Sequence, residues 1–253
     1  MKGSVLKPKS VPTRLKKDLI LEALCELRFV PTTDSFAQLF PGIFFSHFGD
    51  RFREIEQLPI SQLPPEVVNS DPNFAYASQI RMIGGSYAVQ AGSRSLSIIC
   101  MRPYTGWSEF EPVILETVEL LRKTGLVSKV ERFSIKYTDL IPRELSPSLE
   151  WLNLDISLAE SKLTSEPVNL RVELREKGVL HIVQVATFAN VTLRSKESLE
   201  GLWVDVDTIV DSPPESFWEE FPSRLRAAHY ESKRQFFSLL AESTLEKLEP
   251  EYE

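Results

Sequence analysis

Hydrophobic and polar positions alternate with period two from Leu19 to Phe29. Leu19, Leu21, Ala23, Cys25, Leu27 and Phe29 point one way, and Ile20, Glu22, Leu24, Glu26 and Arg28 point the other. One dry face and one mixed face predict a half-buried β-strand. Pro31-Thr32-Thr33 predicts a turn, after which Asp34 is placed to cap a helix carrying Phe36, Leu39, Ile43, Phe44 and Phe48. Pro41 is expected to kink or restart that helix, because its ring removes a backbone donor. The Pro-rich stretch Gln57 to Asn73 predicts a long connection. Strands are predicted near Phe74–Ile83, Tyr87–Ala91 and Arg94–Met101, with Gly84-Gly85 and Gly92-Ser93 supplying the turns. A helix then runs from about Ser108 to Thr124. Its acids Glu109, Glu111 and Glu116 come early, Arg122 and Lys123 come late, and Gly125 follows, an order that suits the helix dipole and a C-terminal glycine.

The second half of the chain carries a similar pattern. Val127 to Ile141 predicts a long strand, and Leu152–Ser157 a short one. Val168–Arg175 and Val179–Val191 read as a hairpin across Glu176-Lys177-Gly178, followed by a strand at Leu202–Ile209. Pro213-Pro214 opens a helix to about Phe237, and a last short helix covers Ser243–Leu248. Both long helices begin with an aromatic box, Trp107 to Pro112 and Trp218 to Pro222, in which Trp and Phe lie three apart on one face. The predicted class is therefore α+β: largely antiparallel sheet with long helices packed on one face, and two pseudo-repeated halves as one way to organise it. The division is a basic arm at 1–17, a first α+β half at 18–125 and a second at 126–253, or one continuous domain in place of the two halves.

Composition narrows the function classes. A hydrophobic fraction of 42% and a charged fraction of 26% suit a globular protein with a real core. No apolar run approaches the ~20 residues that span a bilayer, and the N-terminal segment has no apolar core of a secretory signal, so a cytoplasmic protein with no membrane partner is expected. Cys25 and Cys100 both fall in apolar strand segments and are expected to be buried free thiols. Two cysteines and three histidines lie scattered, without the spacing of a zinc site. The net charge of −7 argues against a broad affinity for nucleic acid. That charge is uneven: five Lys and one Arg occupy the first seventeen residues, and five Glu the last twelve.

Several segments are similar to a sporadically distributed, uncharacterised bacterial family. Asp18-Leu-Ile-Leu-Glu-Ala-Leu-Cys-Glu-Leu-Arg-Phe29 resembles its opening strand, and Tyr104-Thr-Gly-Trp-Ser-Glu-Phe110 its central aromatic box. Phe133 to Ile141 resembles a strand of the form R-Y-x-N-x-I, from which this chain departs with Lys136 for the arginine and Asp139 for the asparagine. Leu202-Trp-Val-Asp-Val-Asp207 resembles a late acidic strand, and Leu225 to Phe237 a closing helix. The resemblance implies no activity. The patchy distribution of that family implies mobile elements, phage defence or toxin–antitoxin loci.

No local catalytic signature is written in consecutive residues. A glycine-rich strand-to-helix turn, a Gly-Lys-Ser and a Gly-x-Ser-x-Gly elbow are all missing, and no cofactor is expected. Asp205 and Asp207 share one strand face, where they could bind a cation, act as an acid/base pair, or simply face water beside arginines. His229, between Arg226 and Lys233, reads as a hydrogen-bonding residue at the helix–sheet seam, and His181 and His47 as structural. The richest candidate is the polar face of the strands. Glu22, Glu26, Arg28, Arg81, Arg132, Lys136, Arg171, Arg175, Asp205 and Asp207 all fall at non-core positions, joined by Gln79 and Glu173. On one concave face they would make a mixed-charge cradle for an anionic ligand or a protein partner; on a flat face they would be cross-strand ion pairs. Phe36, Phe40, Phe44, Phe45, Phe48 and Phe52 exceed one helical stripe, so that helix is either deeply buried or a self-association surface. The expected function is that of a non-enzymatic interaction or regulatory protein. The alternatives are an enzyme with a dispersed site for a phosphate-bearing ligand, built on Arg81, Arg132, Arg171 and the Asp205/Asp207 pair, and a nucleic-acid binder using the basic arm and the Arg224–Arg234 helix.

Overall fold

The alternating segment near the N-terminus becomes one of two central strands. The computed structural model describes residues 11–64, 67–68, 71 and 74–252. The first half of the chain forms β1 (Arg14–Leu15), β2 (Ile20–Pro31), α1 (Phe36–Phe48), β3 (Glu54–Gln57), β4 (Ser78–Gly84), β5 (Tyr87–Gly92), β6 (Ser95–Met101) and α2 (Trp107–Thr124). The second forms β7 (Val127–Pro142), β8 (Ile156–Leu158), β9 (Ser161–Leu163), β10 (Asn169–Glu176), β11 (Val179–Thr192), β12 (Ser198–Asp211), α3 (Phe217–Leu239), α4 (Glu242–Leu248) and β13 (Pro250–Glu251).

Nine strands join in one antiparallel sheet of order β10-β11-β12-β7-β2-β6-β5-β4-β3. The order is repetitive. From the central β2–β7 pair, β2-β6-β5-β4 runs one way and β7-β12-β11-β10 the other, and each meander is followed by a long helix. The sheet is continuous across the centre, so the structure is α+β with a single large antiparallel sheet and its helices packed against it.

The helices cover one face because the strands present one apolar face. Ala23, Cys25, Leu27 and Phe29 of β2 are wholly buried beside Phe133 and Ile135 of β7, Ile98 and Cys100 of β6, and Val89 of β5. Above them lie Phe36, Phe40, Phe44 and Phe48 of α1, Phe110, Ile114 and Leu121 of α2, and Phe217, Phe221 and Leu225 of α3. Deep burial therefore accounts for the aromatic crowding of α1, with Phe52 buried beside it and Phe45 packed at its margin. A second cluster, around Trp151, Val204, Val206, Phe236 and Leu248, closes the far end of α3. Cys25 and Cys100 are buried and free.

Several local expectations are revised. Asp34 does not cap α1; Ser35 holds the N-cap position, and no side chain bonds the free N–H groups. Pro41 lies inside α1 without ending it, and Pro112 and Pro222 hold the same place in α2 and α3, each five residues after the first helical residue. So near the helix start, the ring costs one backbone bond and the rest of the helix proceeds. The strand expected at Leu152–Ser157 is displaced: a 3-10 turn covers Leu149–Trp151, and β8 begins only at Ile156 to pair with β9. The Asn153 amide donates instead to the carbonyls of Ser238 and Leu240, at 2.9 and 3.0 Å, and closes the end of α3. In its described part, from residue 11, the basic arm is tied to the acidic tail. β1 pairs with β13, and Arg14 and Lys16 meet Glu251 and Glu249 of the acidic tail. Residues 1–10 and part of the connection Gln57–Asn73 lie outside the described residues. Among the described residues, no helix is long and apolar enough to cross a membrane.

Candidate functional site

The face of the sheet opposite the helices carries the charge. Parity settles this: with Ala23, Leu27, Phe133 and Val206 turned to the helices, Glu22, Glu26, Arg28, Arg132, Lys136, Asp205 and Asp207 turn away from them. Side chains there are nonetheless hidden. Asp205 is 1% exposed, Ser134 2% and Ile209 1%. Part of the cover is the connection before β4, whose Tyr76 ring centre lies 4.5 Å from the Arg28 guanidinium. Arg194, at the tip of the β11–β12 hairpin, bonds Glu56 of β3 at 2.7 Å, and β3 is the last strand at the opposite edge. The sheet and its hairpin thus curl over the polar face, and that face is concave.

Register brings the charges together. Opposite Thr138 of β7 stand Glu22 of β2 and Asp205 of β12; opposite Lys136 stand Leu24 and Asp207. Lys136 Nζ meets Asp205 Oδ2 at 2.9 Å, and the Thr138 hydroxyl donates to the same oxygen at 3.0 Å. Arg28 Nε donates to Glu26 Oε1 at 2.6 Å, and Arg132 Nη2 reaches the same oxygen at 3.2 Å. Burial pushes the Glu22 carboxyl up, opposed by Lys136 and Arg81. Burial also pushes Asp207 up, against a hydrogen bond from Ser134 and the charges of Arg132 and Lys136. For Lys136 burial works against the charge, but Asp205, Asp207 and Glu22 prevail and hold its ammonium above its usual range. Three atoms of the cluster are buried without a hydrogen-bond partner among the described residues: Asp205 Oδ1, Asp207 Oδ1 and Arg132 Nε.

Seven of the residues expected at a polar face therefore form one network on three adjacent strands: Glu22, Glu26, Arg28, Arg132, Lys136, Asp205 and Asp207. Arg81 shares the face but stands on β4, across β6 and β5, with Glu56 at 3.6 Å. Arg171 and Arg175 belong to the edge strand β10 and lie outside the network. Arg171 pairs with Glu173 at 2.7 Å and Arg175 with Asp211 at 3.5 Å, both exposed to solvent. Thr138 and Ser134 are the members that sequence reading passed over; their signal was their even position on β7. The two described clefts open elsewhere. One of about 210 Å³ lies at Leu140, Pro142 and Ser198, beside the turn of the hairpin, and one of about 310 Å³ at Leu149, Asn153 and Ala241. Among the described residues, no group of three or more His, Cys, Asp or Glu is placed to hold a metal ion.

The histidines have packing roles. His229 stacks flat on Trp107, ring centroids 3.8 Å apart and planes 3° apart, with Tyr137 beneath. It does lie at the helix–sheet seam, but by ring stacking rather than the expected hydrogen bond. Burial pushes it down to about 3, helped by Lys233. His181 is buried with Nδ1 2.9 Å from the Thr208 hydroxyl. His47 packs edge-on against Phe48. On α3, Arg224, Arg226 and Arg234 are taken by Glu220, Glu111, and Glu176 with Glu231. No family model matches the chain, and no curated protein matches it either.

Proposed function

We propose that this protein acts by binding, and that its ligand or partner group is received on the concave face over β2, β7 and β12. The observation that carries the reading is the trio of buried atoms without a hydrogen-bond partner among the described residues, Asp205 Oδ1, Asp207 Oδ1 and Arg132 Nε. An unsatisfied buried polar atom costs on the order of 1–3 kcal/mol, so a ligand that pairs with all three recovers that cost on binding. Two unpaired acceptors and one unpaired donor, reached as the side chains around them part, call for a group that brings donors of its own together with an acceptor or anion. A zwitterion or a hydroxylated anion meets that requirement better than a bare phosphate does. Catalysis on a phosphate-bearing substrate draws less support, because Arg171 stands on the edge strand β10, paired with Glu173 and outside the network.

Native mass spectrometry of the purified protein, followed by calorimetry with amino acids, sugar acids and phosphosugars, tests this. Binding that is lost in Asp207→Asn and Arg132→Met, with folding retained, is the expected result. The absence of any ligand, together with identical profiles for wild type and both variants, would sink the reading. If the resemblance to the sporadically distributed family holds, products of neighbouring genes are the first protein partners to test on the same variants.

A further inference from the structure

The sheet has two edges of different character. At one, β3 is four residues long, carries Glu54 and Glu56, and is met by Arg194. At the other, β10 is eight residues long, and its only strand partner among the described residues is β11. A bare edge of that length offers N–H and C=O groups to another strand.

The ladder tells which groups those are. Thr187 donates its N–H to the Val168 carbonyl at 3.0 Å. The alternation of an antiparallel pair then makes Leu170, Val172 and Leu174 the residues bonded inward to β11. Asn169, Arg171, Glu173 and Arg175 turn their backbone groups to the free side. Their side chains stand on the polar face, while Leu170, Val172 and Leu174 are half-buried on the helix side.

We propose that β10 pairs with β10 of a second copy, antiparallel about Val172, so that two sheets join into one across a two-fold axis. Outward-bonded residues must face outward-bonded residues, and charge selects among the registers that satisfy this. Centred on Val172, Arg171 faces Glu173 of the second copy, Asn169 faces Arg175, and Leu170 faces Leu174. Centred on Glu173, that acid faces itself and Arg171 faces Arg175; centred on Arg171, that cation faces itself. Like charges directly opposite are unfavourable and unlike charges favourable, so the strand is complementary to itself in the first register. The Arg171–Glu173 pair already formed along the strand leaves both side chains about half exposed, at 51% and 50%, and open to a cross-strand partner.

Sedimentation velocity over a dilution series tests the pairing with wild type, Glu173→Arg, Arg171→Glu and the double exchange R171E/E173R. Wild type is expected to dimerise at micromolar concentration. Each single reversal sets like charges opposite twice by symmetry and should weaken association by roughly tenfold or more. The double exchange should restore it. Val172→Cys adds a geometric readout, because residues opposite in a non-hydrogen-bonded pair have Cα atoms only about 4.5 Å apart. Val172→Cys should cross-link to itself under mild oxidation, and Leu170→Cys, which faces Leu174, should not. Circular dichroism checks that each variant folds. A wild type that stays monomeric throughout, or a dimer indifferent to both reversals and without the Val172→Cys cross-link, overturns the proposal. Either result would leave the concave-face reading standing, since the two rest on different strands.

Discussion

His229 is neutral in the folded protein and costs stability when it must be charged. Its ring lies flat on Trp107 of α2, over Tyr137 of β7, and the charge bearing on it is that of Lys233, one turn along its own helix. Burial and that cation push the imidazole from 6.5 down to about 3. Between those values the unfolded chain binds a proton that the folded chain refuses. Stability is therefore complete above pH 6.5 and is lost as pH falls toward 3. At about 1.36 kcal/mol per pH unit the whole interval is worth on the order of 5 kcal/mol, and acidification to pH 4.5 costs about 3 kcal/mol. His229→Phe keeps a ring on Trp107 and removes the proton site. Urea denaturation at pH 7 should give similar stabilities for wild type and variant; at pH 4.5 the variant should be more stable by about 3 kcal/mol. Carboxylates elsewhere titrate in both proteins and cancel in the difference. Parallel pH profiles, or an NMR titration placing His229 near pH 6.5 in the native state, would refute the reasoning.

The acids and the central ladder give further tests. Asp139 is buried on the helix side, where burial first, and then Asp18 and Asp205, hold its carboxyl well above the usual range. Such a group favours the fold below its ordinary value and costs stability as pH rises, so Asp139→Asn should stabilise at pH 8 and change little at pH 4 in paired denaturation curves. Asp205→Leu strands Lys136 without its nearest acid. Removing one partner of a buried pair costs about 3–5 kcal/mol, reduced here to roughly 2 because Lys136 is partly exposed, and K136M/D205L should recover most of it in a double-mutant cycle. A Cβ on Gly201 would lie 2.1 Å from the Ile141 carbonyl oxygen, so Gly201→Ala must part the β12–β7 ladder. Faster amide exchange at both strand ends should report it.

Facing was legible in the sequence, and neighbourhood was not. Period two along β2, β7 and β12 assigns each residue to a face, which is why Glu22, Glu26, Arg28, Arg132, Lys136, Asp205 and Asp207 could be grouped from the chain alone. The same rule placed Arg81, Arg171 and Arg175 on that face, correctly, but it carries no information on distance across the sheet. Arg81 stands three strands from β2, and Arg171 three from β7, because pairing order is set by long-range contacts. β3 escaped reading for a related reason: Glu54-Ile55-Glu56-Gln57 has no dry face, and only its pairing with β4 makes it a strand. At 149–163 a local strand pattern lost to the need to close α3, which Asn153 meets with its side-chain amide.

The repeated topology explains where the polar network sits and why it is lopsided. β2 and β7 occupy equivalent places at the centre, and β6 and β12 flank them equivalently. On the polar face, β12 sets Asp205 and Asp207 beside Thr138 and Lys136, whereas β6 sets Ser97 and Ile99 beside Glu26 and Leu24. Ile99 joins Ile83, Ala88, Leu24 and Met101 in a small apolar cluster, so that row of the concave face is dry, beside the polar row of Glu26, Ser97, Gln90 and Arg81. The unpartnered oxygens therefore lie only toward β12, and Arg132 lies on β7 between the two sides. A duplicated framework would place equal chemistry on both flanks; the difference resides in side chains that the framework does not require. Replacing Asp205 and Asp207 by the serine and isoleucine types found on β6 would keep the sheet and abolish the open acceptors. The residues that most distinguish the two halves are thus the ones on which the proposed binding at this face rests.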